Sequence, residues 1–241
     1  MNYNNYDNYE DVTYQSAVKT QAAFMTLMSK VYIWMTLALA MTGVTAYCVA
    51  NSPTLLYTIF SNPMLTWGLL IGEFVLVMIM SAGINRMPFP VAGLLFVLYS
   101  ILNGVTLSCI LLVYTESSIA TAFFVTAGTF AAMTVVGLTI KKDLGMMGRI
   151  LIMALIGLII ATVVNIFVGS TFLEMIISYV GVLIFVGLTA YDTQKIKQMF
   201  LEVGGEENDA TMKLALMGSL TLYLDFINLF LYILRIFGNR K

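Results

Sequence analysis

Two aspartates lie in otherwise apolar stretches near the end of the chain. Asp192 falls in GLTAYDTQKIKQ, and Asp225 falls in LYLDFINLFLYILRIFG. A carboxylate in hydrocarbon costs at least ~2.5 kcal/mol, so each needs a partner. Two carboxyl groups within hydrogen-bonding reach cannot both ionise cheaply and tend to share one proton. We therefore expect Asp192 and Asp225 to pair between two neighbouring helices, where they would act as a proton sensor.

Other polar residues follow Asp225 at helical spacing. Asn228 and Tyr232 come three and seven residues after it, so they share one helical face. Thr189 comes three residues before Asp192. A polar stripe on an apolar span must face protein or water, which makes these residues candidates for the lining of a pore. The alternative is that each aspartate only caps a helix or bonds to backbone.

Three further charged residues lie in or beside the apolar stretches, namely Glu73, Arg86 and Arg235. Arg86 and Asp192 are predicted to lie toward the same side of the membrane, where they can form an ion pair. Glu73 is mid-span, at a depth that fits either Asp225 or Arg235. An Arg86–Asp192 pair and a Glu73–Arg235 pair would neutralise the buried charge, a hypothesis that rests on depth alone.

The composition is that of an all-α polytopic membrane protein. Of 241 residues, 60% are hydrophobic and 10% are charged, against roughly 25% charged in soluble domains. About 20 apolar residues in a helix cross the hydrocarbon core. Hydropathy predicts seven spans, at about 28–50, 64–83, 89–113, 118–140, 149–169, 172–195 and 212–237.

Several functions are disfavoured by composition. The chain has no histidine, which removes Ser–His and Cys–His catalytic pairs and His-ligated zinc. Cys48 and Cys109 lie in apolar segments and are expected to be packing residues. A net charge of −1 argues against a nucleic-acid partner. We expect no catalytic residue, no cofactor and no enzymatic activity.

Lysine and arginine alternate between the predicted loops, which places the N-terminus in the cytoplasm. The C-terminus then falls outside, although it carries Arg235, Arg240 and Lys241. Either the last span crosses nevertheless, which we favour, or it is re-entrant. Residues 1–18 are rich in Asn and Tyr and are predicted to be a disordered tail, or alternatively a docking segment for a partner. Residues 19–241 form the predicted seven-helix membrane domain.

The motif Gly187-x-Thr189-x-Tyr191-Asp192-Thr193-Gln194 is followed by Leu224-Asp225-x-x-Asn228 and by Arg235. Together with the seven spans, it resembles the Bax inhibitor family, also called the transmembrane Bax inhibitor motif family. The resemblance runs from Lys30 to Gly238. It implies a seven-helix bundle with a central last helix, in the inner membrane if the source is bacterial. It also implies a pH-sensitive calcium leak channel.

The resemblance also implies roles for particular residues. Asp192 and Asp225 would sense protons and bind calcium transiently, because calcium is a hard cation that takes oxygen ligands. Arg86 looks like the arginine that latches one aspartate in the closed state. Glu73 and Arg235 look like the family's glutamate of span 2 and arginine of span 7. The loop between spans 6 and 7 departs from the pattern, since it is long and acidic, with Glu202, Glu206, Glu207 and Asp209.

Three rival interpretations remain open. An intramembrane aspartyl protease also carries a Tyr-Asp pair, as in Tyr191-Asp192, but its second aspartate follows Gly-x-Gly, where this chain has Leu222-Tyr223-Leu224. The chain can instead be a regulatory protein that restrains a membrane protease or a cell-death partner. A proton-coupled calcium exchanger is the third. The oligomeric state is also open, and a monomer is possible.

Overall fold

The computed structural model describes the backbone of residues 4–204 and 208–241, and the side chains from Val18 onward apart from Asn85 and 205–207. Glu206 and Glu207 of the acidic loop lie outside it. Within the described residues there are eight α-helices and no strand, and seven of the helices are long and apolar enough to cross a membrane. The predicted all-α polytopic fold with seven spans is therefore confirmed.

The helices follow the predicted spans closely, with two additions. A short helix fills the first predicted outer loop, and a single 3-10 turn, Ile84–Arg86, follows the second span. The α-helices are α1 Asn4–Ala50, α2 Pro53–Phe60, α3 Pro63–Gly83, α4 Phe89–Val113, α5 Glu116–Thr139, α6 Gly145–Val168, α7 Thr171–Glu202 and α8 Asp209–Phe237.

Polar residues mark where several helices begin. The side chains of Ser52 and Asn62 accept backbone hydrogen bonds ahead of α2 and α3, and a proline occupies the first turn of each. Asn208 and Thr211 form a reciprocal capping box at the start of α8. These caps satisfy orphan N–H groups at the points where the chain re-enters an apolar segment.

Helix α1 differs from the sequence prediction at its beginning. It starts at Asn4, so it includes most of segment 1–18, which the sequence predicts to be disordered. The buried residues Phe24, Leu27 and Val31 anchor this helix in the core. Once a helix is anchored, each added residue gains a hydrogen bond without a new nucleation cost, which accounts for the extension.

Helix α8 is the centre of the bundle. In its most apolar window 67% of the residues are buried, against 6% for α3 and for α6. Helices α1, α4, α5 and α7 all pack against it. It is one unbroken helix of 29 residues, or about 44 Å at ~1.5 Å per residue. This length favours a full crossing over a re-entrant helix, and the predicted central last helix is confirmed.

Close packing between α1 and α4 depends on Gly104. A Cβ atom at this position would lie 2.6 Å from the backbone oxygen of Thr42 and 2.7 Å from Cβ of Thr45. The pair Gly68 and Gly72, whose spacing permits close helix approach, meets nothing within 4 Å in the described residues. Gly104 is therefore a position where two helices approach closely, whereas Gly68 and Gly72 are not.

We predict that Gly104→Ala destabilises the protein by about 1–3 kcal/mol, because the added methyl group forces backbones apart. Gly72→Ala is the matched control, since its methyl group meets open space. Thermal unfolding in detergent should show a lower midpoint for Gly104→Ala only. Equal midpoints for the two variants would contradict the contact.

Candidate functional site

Asp192 and Asp225 meet between α7 and α8. These helices are consecutive and pack along each other, and the two carboxyl groups interact as a hydrogen-bonding pair. Asp225 is only 4% exposed. Its Oδ2 atom receives no hydrogen bond from the described residues. This oxygen thus lacks a protein donor, and a proton or a cation between the carboxyl groups would relieve their repulsion.

The pair lies on the wall of a cavity of about 570 Å³. Helices α3, α4, α6, α7 and α8 all contribute to this wall, which we call the carboxyl cavity. Its apolar part comes mostly from leucine, isoleucine and phenylalanine. Its polar and charged residues are Glu73, Tyr99, Tyr191, Asp192, Lys195, Thr221, Asp225, Asn228 and Tyr232.

Two of the three predicted pore residues lie on this cavity. Asn228 and Tyr232 line it one and two turns beyond Asp225. Thr189 does not, because it is fully buried and donates a hydrogen bond of 2.7 Å to the carbonyl oxygen of Phe185. The prediction for Thr189 as a pore-lining residue is corrected: its hydroxyl is satisfied within its own helix.

Glu73 brings a third carboxyl group to the same cavity. It accepts hydrogen bonds from Thr106 Oγ1 and, at 3.3 Å, from Asn103 Nδ2. Asn103 Oδ1 accepts from the hydroxyl of Tyr223 at 3.0 Å, and that hydroxyl lies 2.7 Å from Thr42 Oγ1. A chain of hydrogen bonds therefore runs from the cavity, through α4 and α8, to α1.

Sequence reasoning missed this network. Its signal was Asn103, an amide in the middle of an apolar span, with Thr106 one turn later on the same face. A buried amide in a membrane span requires polar partners, and the preceding span carries an acid, Glu73, that can provide one.

Arg86 is not brought to Asp192 in this structure. It lies in the turn after α3, its side chain is exposed, and it forms no ion pair with any residue that the structure describes. The cation on the carboxyl cavity is Lys195, one turn beyond Asp192, which interacts electrostatically with it. The Arg86–Asp192 ion pair is thus absent from this arrangement, since the turn leaves Arg86 outside the cavity.

Arg235 pairs with Glu174 instead of Glu73. Arg235 Nε lies 3.7 Å from Glu174 Oε1, and Nη2 of Arg240 lies 3.6 Å from the same atom. Helices α7 and α8 are antiparallel, so the first turn of α7 reaches the level of the last turn of α8. The predicted Glu73–Arg235 pair is therefore not formed: both residues have nearer partners.

The carboxyl cavity is not a preformed metal site. In the described part of the chain, no group of three or more acidic, cysteine or histidine side chains converges as a metal-binding cluster. Calcium takes six to eight oxygen ligands. The two carboxyl groups of Asp192 and Asp225 supply fewer oxygens than this.

The fold and the carboxyl cavity define a class: a multi-pass α-helical membrane protein with a pair of acidic residues between its last two helices. The family model described as inhibitor of apoptosis-promoting Bax1 matches residues 24–241. The chain therefore belongs to the Bax inhibitor family, as its motifs predicted.

Curated relatives match over nearly their whole lengths. Inner membrane protein YbhL of Escherichia coli (strain K12) is 47% identical over 226 residues, covering 94% of this chain and 97% of the relative. An uncharacterized protein of Borreliella burgdorferi is 44% identical, covering 89% and 92%. Another of Deinococcus radiodurans is 42% identical, covering 92% and 94%.

We predict that Tyr223→Phe lowers the unfolding midpoint, because it leaves the Asn103 oxygen without its donor. Loss of a buried partner costs about 1–3 kcal/mol. Tyr179→Phe is the control, because Tyr179 is 53% exposed. A Tyr223→Phe protein that unfolds at the wild-type temperature would show that the network contributes nothing to stability.

Proposed function

We propose that this protein is a calcium leak channel gated by protonation of the Asp192–Asp225 pair. The observation that carries the proposal is the contact of these two carboxyl groups on the wall of the carboxyl cavity, where Asp225 Oδ2 has no hydrogen-bond donor among the described residues. Such a pair has two competing occupants, a proton and a hard cation. A path that runs past it would therefore be sensitive to pH.

An acidic proton sensor is favoured, because the chain has no histidine. Two carboxyl groups in contact titrate as a unit and hold one proton more readily than none. When both are ionised, their repulsion favours either a cation between them or a separation of α7 and α8. Protonation removes that repulsion and changes the packing of the central helix.

The route beyond the pair follows α8. Asn228 and Tyr232 continue the polar wall of the carboxyl cavity toward the end of the bundle. Arg235 lies ten residues after Asp225, or about 15 Å at ~1.5 Å per residue, and joins Glu174 and Arg240 there. Calcium leaving the pair would pass oxygen and amide groups before it meets this charged cluster.

Arg86 completes the proposed gate. With the pair ionised, its guanidinium would bind Asp192 and close the cavity, and protonation would weaken this ion pair. The arrangement with Arg86 exposed then corresponds to the unlatched form.

We predict that Asp225→Asn abolishes the pH dependence of calcium flux in proteoliposomes, and that wild-type flux rises as pH falls. Asn cannot take up a proton, so the variant should give a flat profile. Asp209→Asn, an exposed acid on the same helix, should keep the wild-type profile. A retained pH response in Asp225→Asn would remove the proposed sensor.

Wild-type protein that carries no calcium at any pH would favour the interaction-protein interpretation. Flux that requires a proton gradient would favour an exchanger. The same proteoliposomes test both outcomes: calcium flux is measured with the proton gradient intact and again after an ionophore has dissipated it.

We predict that Arg86→Gln raises calcium flux at neutral pH several-fold, toward the level of the wild type at acidic pH, because the latch is lost. Arg149→Gln, which removes an exposed arginine from α6, is the control for a change in net charge. The measurement is calcium flux at neutral and at acidic pH for the wild type and both variants. Equal neutral-pH flux in the wild type and Arg86→Gln would rule out the latch.

A further inference from the structure

A second large cavity lies beside the central helix, away from the carboxyl cavity. Helices α1 and α5 both pack on α8 and leave between them a groove of about 730 Å³. Phe130 and Phe226 form its buried floor. A smaller cavity of about 160 Å³ continues it, and Leu39, Gly43, Phe123 and Phe226 line both. We call the two together the α1–α5 groove.

Two neighbouring hydroxyl groups, of Tyr32 and Thr134, face this groove and have no partner among the described residues other than each other. Thr134 is only 7% exposed, and its Oγ1 atom makes no hydrogen bond of normal geometry within the described residues. The same holds for the hydroxyl of Tyr32, which lies beside it. Leaving a buried donor unsatisfied costs about 1–3 kcal/mol. An occupant with an oxygen acceptor at this point would recover that free energy.

The groove is polar at one end and apolar along the rest. Its wall on α1 runs from Tyr32 to Ala46, and its wall on α5 runs from Thr134 to Ile119. Fourteen residues of helix span about 21 Å at ~1.5 Å per residue. The exposed side chains of Lys141 and Lys142 follow directly after α5, at the end where the two hydroxyls lie.

We propose that the α1–α5 groove binds an acyl chain of an anionic glycerophospholipid. The ester carbonyl would accept hydrogen bonds from Tyr32 and Thr134, and the chain would lie along Leu39, Phe123 and Phe226. Lys141 and Lys142 would attract the phosphate, because cationic side chains at the membrane surface favour anionic lipid. Both walls are membrane-spanning helices, so the medium around the groove is hydrocarbon.

The dimensions of the groove suit an acyl chain. Its larger compartment has about 730 Å³, within the 300–1,000 Å³ that is typical of small-molecule sites. A second copy of this chain or a partner's span is the alternative occupant, and the labelling experiment below distinguishes it from lipid.

Gly43 provides a direct way to fill the groove. It lies where the two compartments join, and a Cβ atom there would meet nothing within 4 Å. Gly128 on α5 also has open space around it but does not line the groove. Gly43→Trp and Gly128→Trp are thus matched variants, since both add an indole to a helix in open space and only one adds it to the groove.

The experiment uses the full chain in vesicles of phosphatidylethanolamine and phosphatidylglycerol, with trace phosphatidylglycerol that carries a diazirine in one acyl chain. After irradiation, labelled peptides are quantified by mass spectrometry relative to the lipid-facing residues Met64 and Phe167, which are 84% and 86% exposed. We expect labelling around Leu39 and Phe123 that excess unlabelled phosphatidylglycerol competes away. Gly43→Trp should reduce it at least fivefold, and Gly128→Trp should leave it unchanged.

Equal labelling of the groove in the two tryptophan variants would overturn the proposal. So would groove labelling that unlabelled lipid does not compete away, or an unlabelled groove beside labelled outer faces, which indicates cover by another protein. If Gly43→Trp does not fold, Ala131→Phe fills the same groove from α5. The double variant Tyr32→Phe, Thr134→Val should lower the phosphatidylglycerol retained in native mass spectra, and unchanged retention would remove the polar end of the site.

Discussion

The contact between Asp192 and Asp225 constrains the rest of this bundle. Two carboxyl groups can stay at membrane depth only if helices shield them from lipid. Asp225 is carried by the most buried helix, and α1, α4, α5 and α7 surround that helix. The outer helices α3 and α6 then close the carboxyl cavity. The central position of the last span and the polar wall beside it both follow from the presence of Asp192 and Asp225 between α7 and α8.

The other buried polar groups are held differently from this pair. Glu73 has two side-chain donors, and the Tyr223 hydroxyl links Asn103 to Thr42, so this part of the interior is a satisfied network that joins three helices. Glu174 pairs with arginines at the end of α8. Within the described residues, the buried side-chain atoms that make no regular hydrogen bond are Asp225 Oδ2 and the hydroxyl oxygens of Tyr32 and Thr134. They lie on the two cavities to which we assign ligands.

Sequence reasoning found the spans, because a membrane helix must satisfy its backbone internally and face lipid with apolar side chains. It also brought Asp192 and Asp225 together, since a buried carboxyl group needs a partner and polar stripes on consecutive antiparallel spans can face each other. Depth alone does not give the direction in which a side chain points around its helix. The prediction therefore paired Glu73 with Arg235. In the structure, the side chain of Glu73 instead accepts hydrogen bonds from Asn103 and Thr106. Thr189 was misplaced for the same reason. The expected contact of Arg86 with Asp192 is absent because Arg86 lies in the turn after α3, and the helical extension of α1 left no hydrophobic signal.

The most direct measurement is infrared difference spectroscopy of the reconstituted protein across a pH titration, following the carbonyl stretch of protonated carboxylic acid. The account predicts a protonated carboxyl band that persists at pH values where isolated aspartates are ionised, that shifts when calcium is added, and that disappears in Asp192→Asn, Asp225→Asn double variants. A wild-type protein without such a band, or a band that survives in the double variant, would contradict the shared proton.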